Sequence, residues 1–530
     1  MKRLSGLRFI RIAIYLAMAV LLFAEGVWAS PTTQGQAEKV VLNWLRKGAV
    51  PLGAPLGRQI KEVQTFTDSA GTPAYYVVYL NPAGMVFLPA DDLVEPIIGF
   101  MPEGSYDPSP TNPLGALVSR DIPGRVLQAR AIEARGLEAL APGTPQTTAQ
   151  RKWAGLSNPT GDGQAMEAGL PGISDVRVTP LVQSYWWQRT VAGQACFNYY
   201  TPPYATGNPG NYVCGCVATA MAQLMHYNQY PTTGVDKTKP FDIWVDNNKQ
   251  TAYLRGGSGP GGAYDWGSMV LVPSSDMTET QRQILGALVS DTGVSVSMSY
   301  TDNNSTSNTS TAAWSYVNVF RYMNANYGYN GKANIPLPNL YPMINPNLDG
   351  QLPVQLGINQ NGTNGHSILA DGYGYDTGTM YHHLKMGWVA TSLDVWYNLP
   401  NFTAGDSSYD TVHTCVYNVF KDGTGEIISG RVTTAGNTPI SGGTVTATRS
   451  GGGTYTTTTN AKGIYALAKV PSASTYTVRV TKSGYTFNSQ VVSTGTSTDN
   501  TITSGNVWGV DFKGTPGGRG LGAIQLLLLN

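Results

Sequence analysis

Apolar and polar positions repeat with different periods along this chain, and the changes of period mark its segments. In "QAEKVVLNWLRKG" (36–48) the apolar residues Ala37, Val40, Val41, Trp44 and Leu45 fall on one face of a helix that stops at Gly48. "PAYYVVYLNPAGMVFLPADD" (73–92) is two apolar β-type runs around Asn81-Pro82-Ala83-Gly84, a hairpin signal. Together they predict a small α+β unit over residues 30–120. From 121 to 174 the pattern degrades. One Arg/Ala/Leu/Glu helix near 125–140 gives way to "APGTPQTTAQ" and "LSNPTGDGQ", the composition of linkers and of sites open to proteolytic nicking. A central block, 175–422, follows. Within it "CGCVATAMAQLMHYNQYP" (214–231) predicts a largely buried helix from Cys216, with Ala218, Met221, Ala222 and Met225 on one face and Pro231 past its end. From 425 to 513 short alternating strands split by Gly, Asn and Ser turns predict a small antiparallel β-sandwich. The apolar tail 514–530 is too short to span a membrane and has no readable role.

Composition narrows the class. At 530 residues the chain is too long for one core. Its 41% hydrophobic content suits packed domains, while 62 glycines and 33 prolines suit a loop-rich, β-rich chain. A net charge of +1 gives no basis for nucleic acid or an anionic membrane as partner. The N-terminus reads as an address: Lys2, Arg3, Arg8 and Arg11, then an apolar run from Ile12 to Ala24, then Val27-Trp28-Ala29 as a small-residue cleavage site. That run is shorter than the roughly 20 residues a membrane helix needs. Residues 1–29 are therefore expected to be a signal peptide, leaving an exported protein without a stable membrane span. Disulfides are permitted there and not required.

The chemistry concentrates in the centre, which holds all five histidines. Cys216 sits at the first turn of its helix, where the positive end of the helix dipole stabilises a thiolate. Taken alone, it reads more readily as a small buried thiol. A thiolate nucleophile needs an imidazole to hold its proton and pass it to the leaving amine. "NGTNGHSILADGYGYD" supplies His366, then an apolar strand, then an Asp371-Gly372 turn. His382 and His383 are adjacent, so they point to opposite faces of a strand, and no Cys or carboxylate set completes a metal site. No cofactor is implied. His226, nearly three turns beyond Cys216, is expected at the surface.

These stretches together resemble the streptopain family of secreted papain-like cysteine peptidases. "GCVATAMAQLMHYNQYP" and "GHSILADGYGYD" carry the resemblance, with "AYDWGSM", "ALVSDTGVSVSMSY" and "LPVQLGINQNGTNGH" in support. "GFMPEGSYDPSPTNP" in the N-terminal unit resembles that family's inhibitory propeptide. Residues 425–513 resemble a carboxypeptidase-regulatory-like module. The resemblance implies an α+β fold: a papain-like catalytic domain of two subdomains, preceded by an α+β propeptide and followed by the sandwich. It implies Cys216 as nucleophile, His366 as general acid/base, and Gln188 in "YWWQRT" as an oxyanion-hole donor. Protein or peptide would be the substrate, the chain's own propeptide the intramolecular inhibitor, and the sandwich would carry a ligand of unknown kind.

One departure stands out. Where the family reads like "HxNxGW", this chain has "HHLKMGW", with Lys385 and Met386 where an orienting Asn and an aromatic would stand. Lysine has donors only and cannot accept an imidazole N–H. Either a backbone carbonyl orients the ring or activity is reduced. Trp388 and Trp396 would either shield the site from water or sit in the core. Cys196 and Cys214 are candidates for a disulfide closing a loop of 18 residues, worth about 3 kcal/mol on entropic grounds, which would leave Cys216 free. The reading that competes with a peptidase is a catalytically impaired relative acting as an exported binding or adhesion protein.

Overall fold

The structure, a computed structural model, describes residues 31–517 except 49, 137–146, 159–173, 332, 361–362, 389–393 and 401–411. The expected signal peptide, most of the apolar tail and residues 137–146 and 159–173 of the expected linker therefore lie outside the described residues.

The N-terminal unit begins with α1 (Gln34–Lys47), capped by Thr33 and Gln36 in a reciprocal capping box. Its apolar face, with Val40, Val41 and Trp44, is buried. Four antiparallel strands follow: β1 (Gln59–Thr67), β2 (Pro73–Asn81), β3 (Met85–Pro89) and β4 (Gly99–Met101). The next helix, α2 (Pro113–Gly136), starts well before residue 125. Pro113 suits the first turn of a helix, and the Asn112 side chain accepts the backbone N–H groups of Leu114 and Gly115. Leu114, Leu117, Val118 and Ile122 are buried in a core shared with β2 and β3. A further helix, α3 (Thr148–Ser157), lies where composition reads as linker. Thr147 and Gln150 form another capping box, and Trp153 and Leu156 are buried beside α1. Much of the expected linker thus packs into the N-terminal unit, because two caps and a buried Trp outweigh a loop-like composition.

The centre adds β5 (Asp175–Val178), α4 (Cys216–Asn228), β6 (Phe241–Val245), β7 (Asn248–Ala252), α5 (Glu279–Ser295), β8 (Ser299–Tyr300) and α6 (Thr311–Asn318). Then come β9 (Asn324–Tyr329), α7 (Leu337–Asp349), β10 (Val354–Gln360), β11 (Thr363–Asp376), β12 (Thr379–Lys385), β13 (Asp394–Tyr397) and β14 (Val412–Phe420). The main sheet runs β1-β2-β3-β4-β13-β12-β11-β10-β14-β9, with β5 paired to the far half of β11. The N-terminal unit and the centre therefore share one sheet, joined where β4 pairs with β13. Gly99 permits this join, because a Cβ there would lie 2.7 Å from the Tyr397 ring.

Alternation along β11 divides two cores. Leu369 enters the core built on α4, α5 and α6, whereas Ile368 and Ala370 enter the one shared with α2 and α7. The expected Asp371-Gly372 turn is absent. The strand continues to Asp376 with a register shift between Ala370 and Gly372, and β5 packs so closely on Gly372 that a Cβ would lie 2.9 Å from the Val178 carbonyl.

Between Glu426 and Pro516 two four-stranded sheets pack around Ile428, Val432, Val445, Tyr476 and Val478. The sandwich is not purely antiparallel, since Val432–Thr434 runs parallel to Phe512–Gly514. It is docked on the centre. Arg431 grips Asp175 with two hydrogen bonds of 2.6 and 3.1 Å, and Ser429 donates to Asp349 at 2.7 Å. Trp508 lies edge-on to Tyr341 and Tyr373.

Candidate active site

Cys216 is the first residue of α4. Gly215 before it has φ of 91°, a conformation favouring glycine, and a Cβ there would meet Met298 at 2.7 Å and the Ser305 carbonyl at 2.9 Å. The Cys216 thiol is buried, and burial pushes it up despite the backbone N–H groups of Ser367, Val217 and Cys216 itself. The Cys216 and Val217 amides are the expected helix-terminal help, and the Ser367 amide is added from β11. In this closed state desolvation outweighs them.

The other cysteines do not pair. All four described thiols are free, so the Cys196–Cys214 bridge is absent. The Cys214 sulfur is turned to the Thr219 hydroxyl at 3.3 Å, one turn into α4. Burial pushes Cys196 and Cys214 each up to about 12, which leaves them inert as thiolates. Cys415, inside β14, is pushed up in the same way.

Gln188 is buried beside this turn. Its backbone carbonyl accepts the Cys214 N–H at 3.0 Å, and its Nε2 donates to the Gly387 carbonyl at 3.1 Å. It thus bridges the cysteine loop and the segment after β12. One of its two amide hydrogens is used by Gly387, leaving a second donor.

His366 stands on β11 opposite Ile358. Its ring meets Trp388 edge-on at 5.4 Å between centroids, and its Nε2 lies 3.2 Å from the Pro110 carbonyl, just ahead of α2. The imidazole is 4% exposed, and burial pushes it down to about 4 in spite of that carbonyl. No hydrogen bond joins His366 to Cys216 among the described residues. The residue after His366 does reach the cysteine, through the Ser367 backbone N–H at the Cys216 thiol, while the ring is held by the N-terminal unit.

Lys385 does not face the histidine. Its ammonium donates to Asp394 at 2.9 Å and lies 4.0 Å above the Tyr185 ring. Met386 is buried in the core shared with α2, and Trp388 walls the His366 ring. Trp396 instead meets His383 at 5.1 Å, away from His366. His383 in turn holds Asp371 at 2.6 Å, a buried pair, with Asp371 on β11 and not in the expected turn. The alternation of the two histidines holds: His382 pairs with Asn345 Oδ1 at 2.8 Å, and His383 faces the opposite side. No set of three or more His, Cys, Asp or Glu side chains able to hold a metal occurs among the described residues. His226 is not a surface residue. Its ring is half-buried at 5.0 Å from Trp186 and 6.4 Å from Trp266. Pro110 was missed as a functional position, although the stretch around it carried the propeptide-like signal.

A Cys at a helix start, a buried amide beside it and a histidine on the facing sheet are the parts of a thiol acyl-transfer site. Residues 192–397 match the Peptidase C10 family. That match spans the stretch that holds both Cys216 and His366. Residues 427–507 match the carboxypeptidase regulatory-like domain, so the docked sandwich is of that kind. Streptopain of Streptococcus pyogenes is 22% identical over 411 residues, covering 72% of this chain and 89% of that protein. The thiol protease/hemagglutinin PrtT of Porphyromonas gingivalis is 28% identical over 203 residues, 37% of this chain and 22% of that protein. A prointerpain A fragment from Prevotella intermedia aligns with a TM-score of 0.47 at 17% identity, covering 68% of this chain and 99% of that one. Cys216, His366 and Trp388 lie within the matched stretch, and Gln188 precedes it by a few residues.

Proposed function

We propose that this chain is the latent form of an exported cysteine endopeptidase, with Cys216 as nucleophile and residues 31–136 as its intramolecular inhibitor. The observation that carries the reading is the Pro110 carbonyl on His366 Nε2. It ties one ring nitrogen of His366 to the N-terminal unit, while burial keeps the imidazole neutral.

Once the N-terminal unit leaves, the His366 ring is free to turn to Cys216 and take its proton. The thiolate attacks the scissile carbonyl, and the second amide hydrogen of Gln188 and the Cys216 N–H receive the oxyanion. Collapse forms a thioester as His366 protonates the leaving amine, and water then hydrolyses the thioester. Lys385 takes no part in orienting the ring, being spent on Asp394 and Tyr185. That leaves the orienting role to another group and favours a second reading, an impaired relative that binds rather than cuts. Casein hydrolysis by the processed protein under reducing conditions, beside Cys216→Ala, separates the two. Activity lost in the variant supports the peptidase, and none in either folded protein supports the binding protein.

A further inference from the structure

The inhibitory contact depends on how a short loop is seated, and that seat is built around one glycine. Residues 107–111 fold back on the first turn of α2. The Ser109 N–H donates to Asp107 Oδ1 at 2.9 Å, and the Ser109 and Thr111 hydroxyls share a hydrogen bond of 2.7 Å. The Asn112 N–H donates to the Ser109 carbonyl at 3.0 Å, while the Asn112 side chain caps α2. Pro108 and Pro110 restrict the same stretch further. The loop is therefore braced on itself and does not lie extended as a substrate would.

Gly115 forms the floor of this seat. A Cβ on it would lie 2.5 Å from the Ser109 carbonyl oxygen and 2.9 Å from the Pro108 carbonyl carbon, with the Asp107 oxygen closer still. All three neighbours are backbone, so none can swing aside as a side chain would. Alanine is the better helix former, and a glycine here weakens α2. Nothing in the helix requires it. The loop does.

We propose that Gly115 is the latch of the latent state: its bare Cα lets the 107–111 backbone sit on α2 and so delivers the Pro110 carbonyl to His366. This rests on the peptidase reading and goes beyond it, because it assigns control of latency to a residue that touches neither Cys216 nor His366. Any side chain at 115 lifts the loop while preserving the helix. The Pro110 carbonyl then withdraws, and His366 reaches Cys216 without a cut in the chain.

The test is alkylation of the unprocessed full-length chain by iodoacetamide near neutral pH, read by intact mass. Cys216→Ala serves as the control for labelling at other thiols. Gly115→Ala should label at least tenfold faster than the wild-type zymogen, and adding His366→Ala should remove the gain. A folded Gly115→Ala chain that labels at the wild-type rate overturns the latch. Should that variant not fold, Ser109→Ala with Thr111→Ala loosens the same loop without added bulk. Faster labelling then supports the latch, and the wild-type rate overturns it. Casein hydrolysis by the processed wild-type protein is scored independently, so failure of the latch and failure of the peptidase reading are told apart.

Discussion

Phe100 and Trp396 face each other across the antiparallel backbones of β4 and β13, so the N-terminal unit continues the sheet that carries His366. Around this join Trp44 donates to Asp376 at 2.7 Å, Tyr381 donates to the Ile97 carbonyl at 2.8 Å, and Arg125 binds Asn398. Two buried cores also include residues from both parts. Cutting the chain between 159 and 173 should therefore leave the two pieces associated. Size-exclusion chromatography after limited proteolysis should show both fragments in one peak. Separation without denaturant would contradict this account of the join.

Arg125 and Asp121 form a buried pair with bonds of 2.8 and 2.7 Å, and Tyr397 OH also donates to Asp121. Removing the arginine leaves a carboxylate with no exposure to solvent. Arg125→Met should destabilise the latent chain by about 3–5 kcal/mol. Urea unfolding measures it, and a loss under 1 kcal/mol would show that the pair is dispensable.

His366 is ordinarily protonated below about 6.5, but burial pushes it down to about 4 in the latent state. Between these values the unfolded chain binds a proton that the folded one refuses, so stability falls as pH drops through that window. His413 and His382, pushed to about 4 and 3, add to the fall, whereas Asp291, raised to about 6, opposes it. The variant comparison isolates one group. In His366→Gln the stability lost between pH 7 and pH 4.5 should shrink by about 2–3 kcal/mol relative to wild type. Equal losses in the two proteins would mean that the ring is not buried neutral.

Gln188→Ala should lower kcat of the processed enzyme about 10²–10³-fold with little change in KM, as removal of a transition-state donor does. A rise in KM alone would place Gln188 in substrate binding.

The regulatory-like module is fastened to β5 through Arg431–Asp175 and to α7 through Ser429–Asp349. A chain ending at Asp422 should lose these contacts and uncover Tyr341 and Tyr373. Its Tm should fall by roughly 5 °C or more. An unchanged Tm would make the module an independent passenger.

The elements legible in the sequence were those whose signals are local. The α1 face, the Asn81–Gly84 hairpin and the Cys216 helix each rest on spacing, a cap or a turn within a few residues. The C10 match covers the stretches around Cys216 and His366, and leaves out the propeptide-like stretch 99–113. What escaped depends on partners distant in sequence. The 147–157 helix looks like linker until Trp153 finds the carbonyl of Val94. Gly372 looks like a turn until β5 is laid against it. The suggested bridge failed because the direction of the Cys214 side chain is set by α4, and loop length says nothing of that. Lys385 was legible as a residue with donors only, but its ties to Asp394 and Tyr185 come from segments distant in sequence.

The pairing of β4 with β13 also bears on how the protein behaves once matured. Stripping off the N-terminal unit turns β13 into a bare outer strand, with the backbone of Trp396 and Tyr397 open to any passing chain. Tyr381 and Trp396, now in a dry core, would face water at the same moment. The discarded piece is thus also a cover for adhesive surface, and the trimmed enzyme should clump sooner than its precursor in concentrated solution.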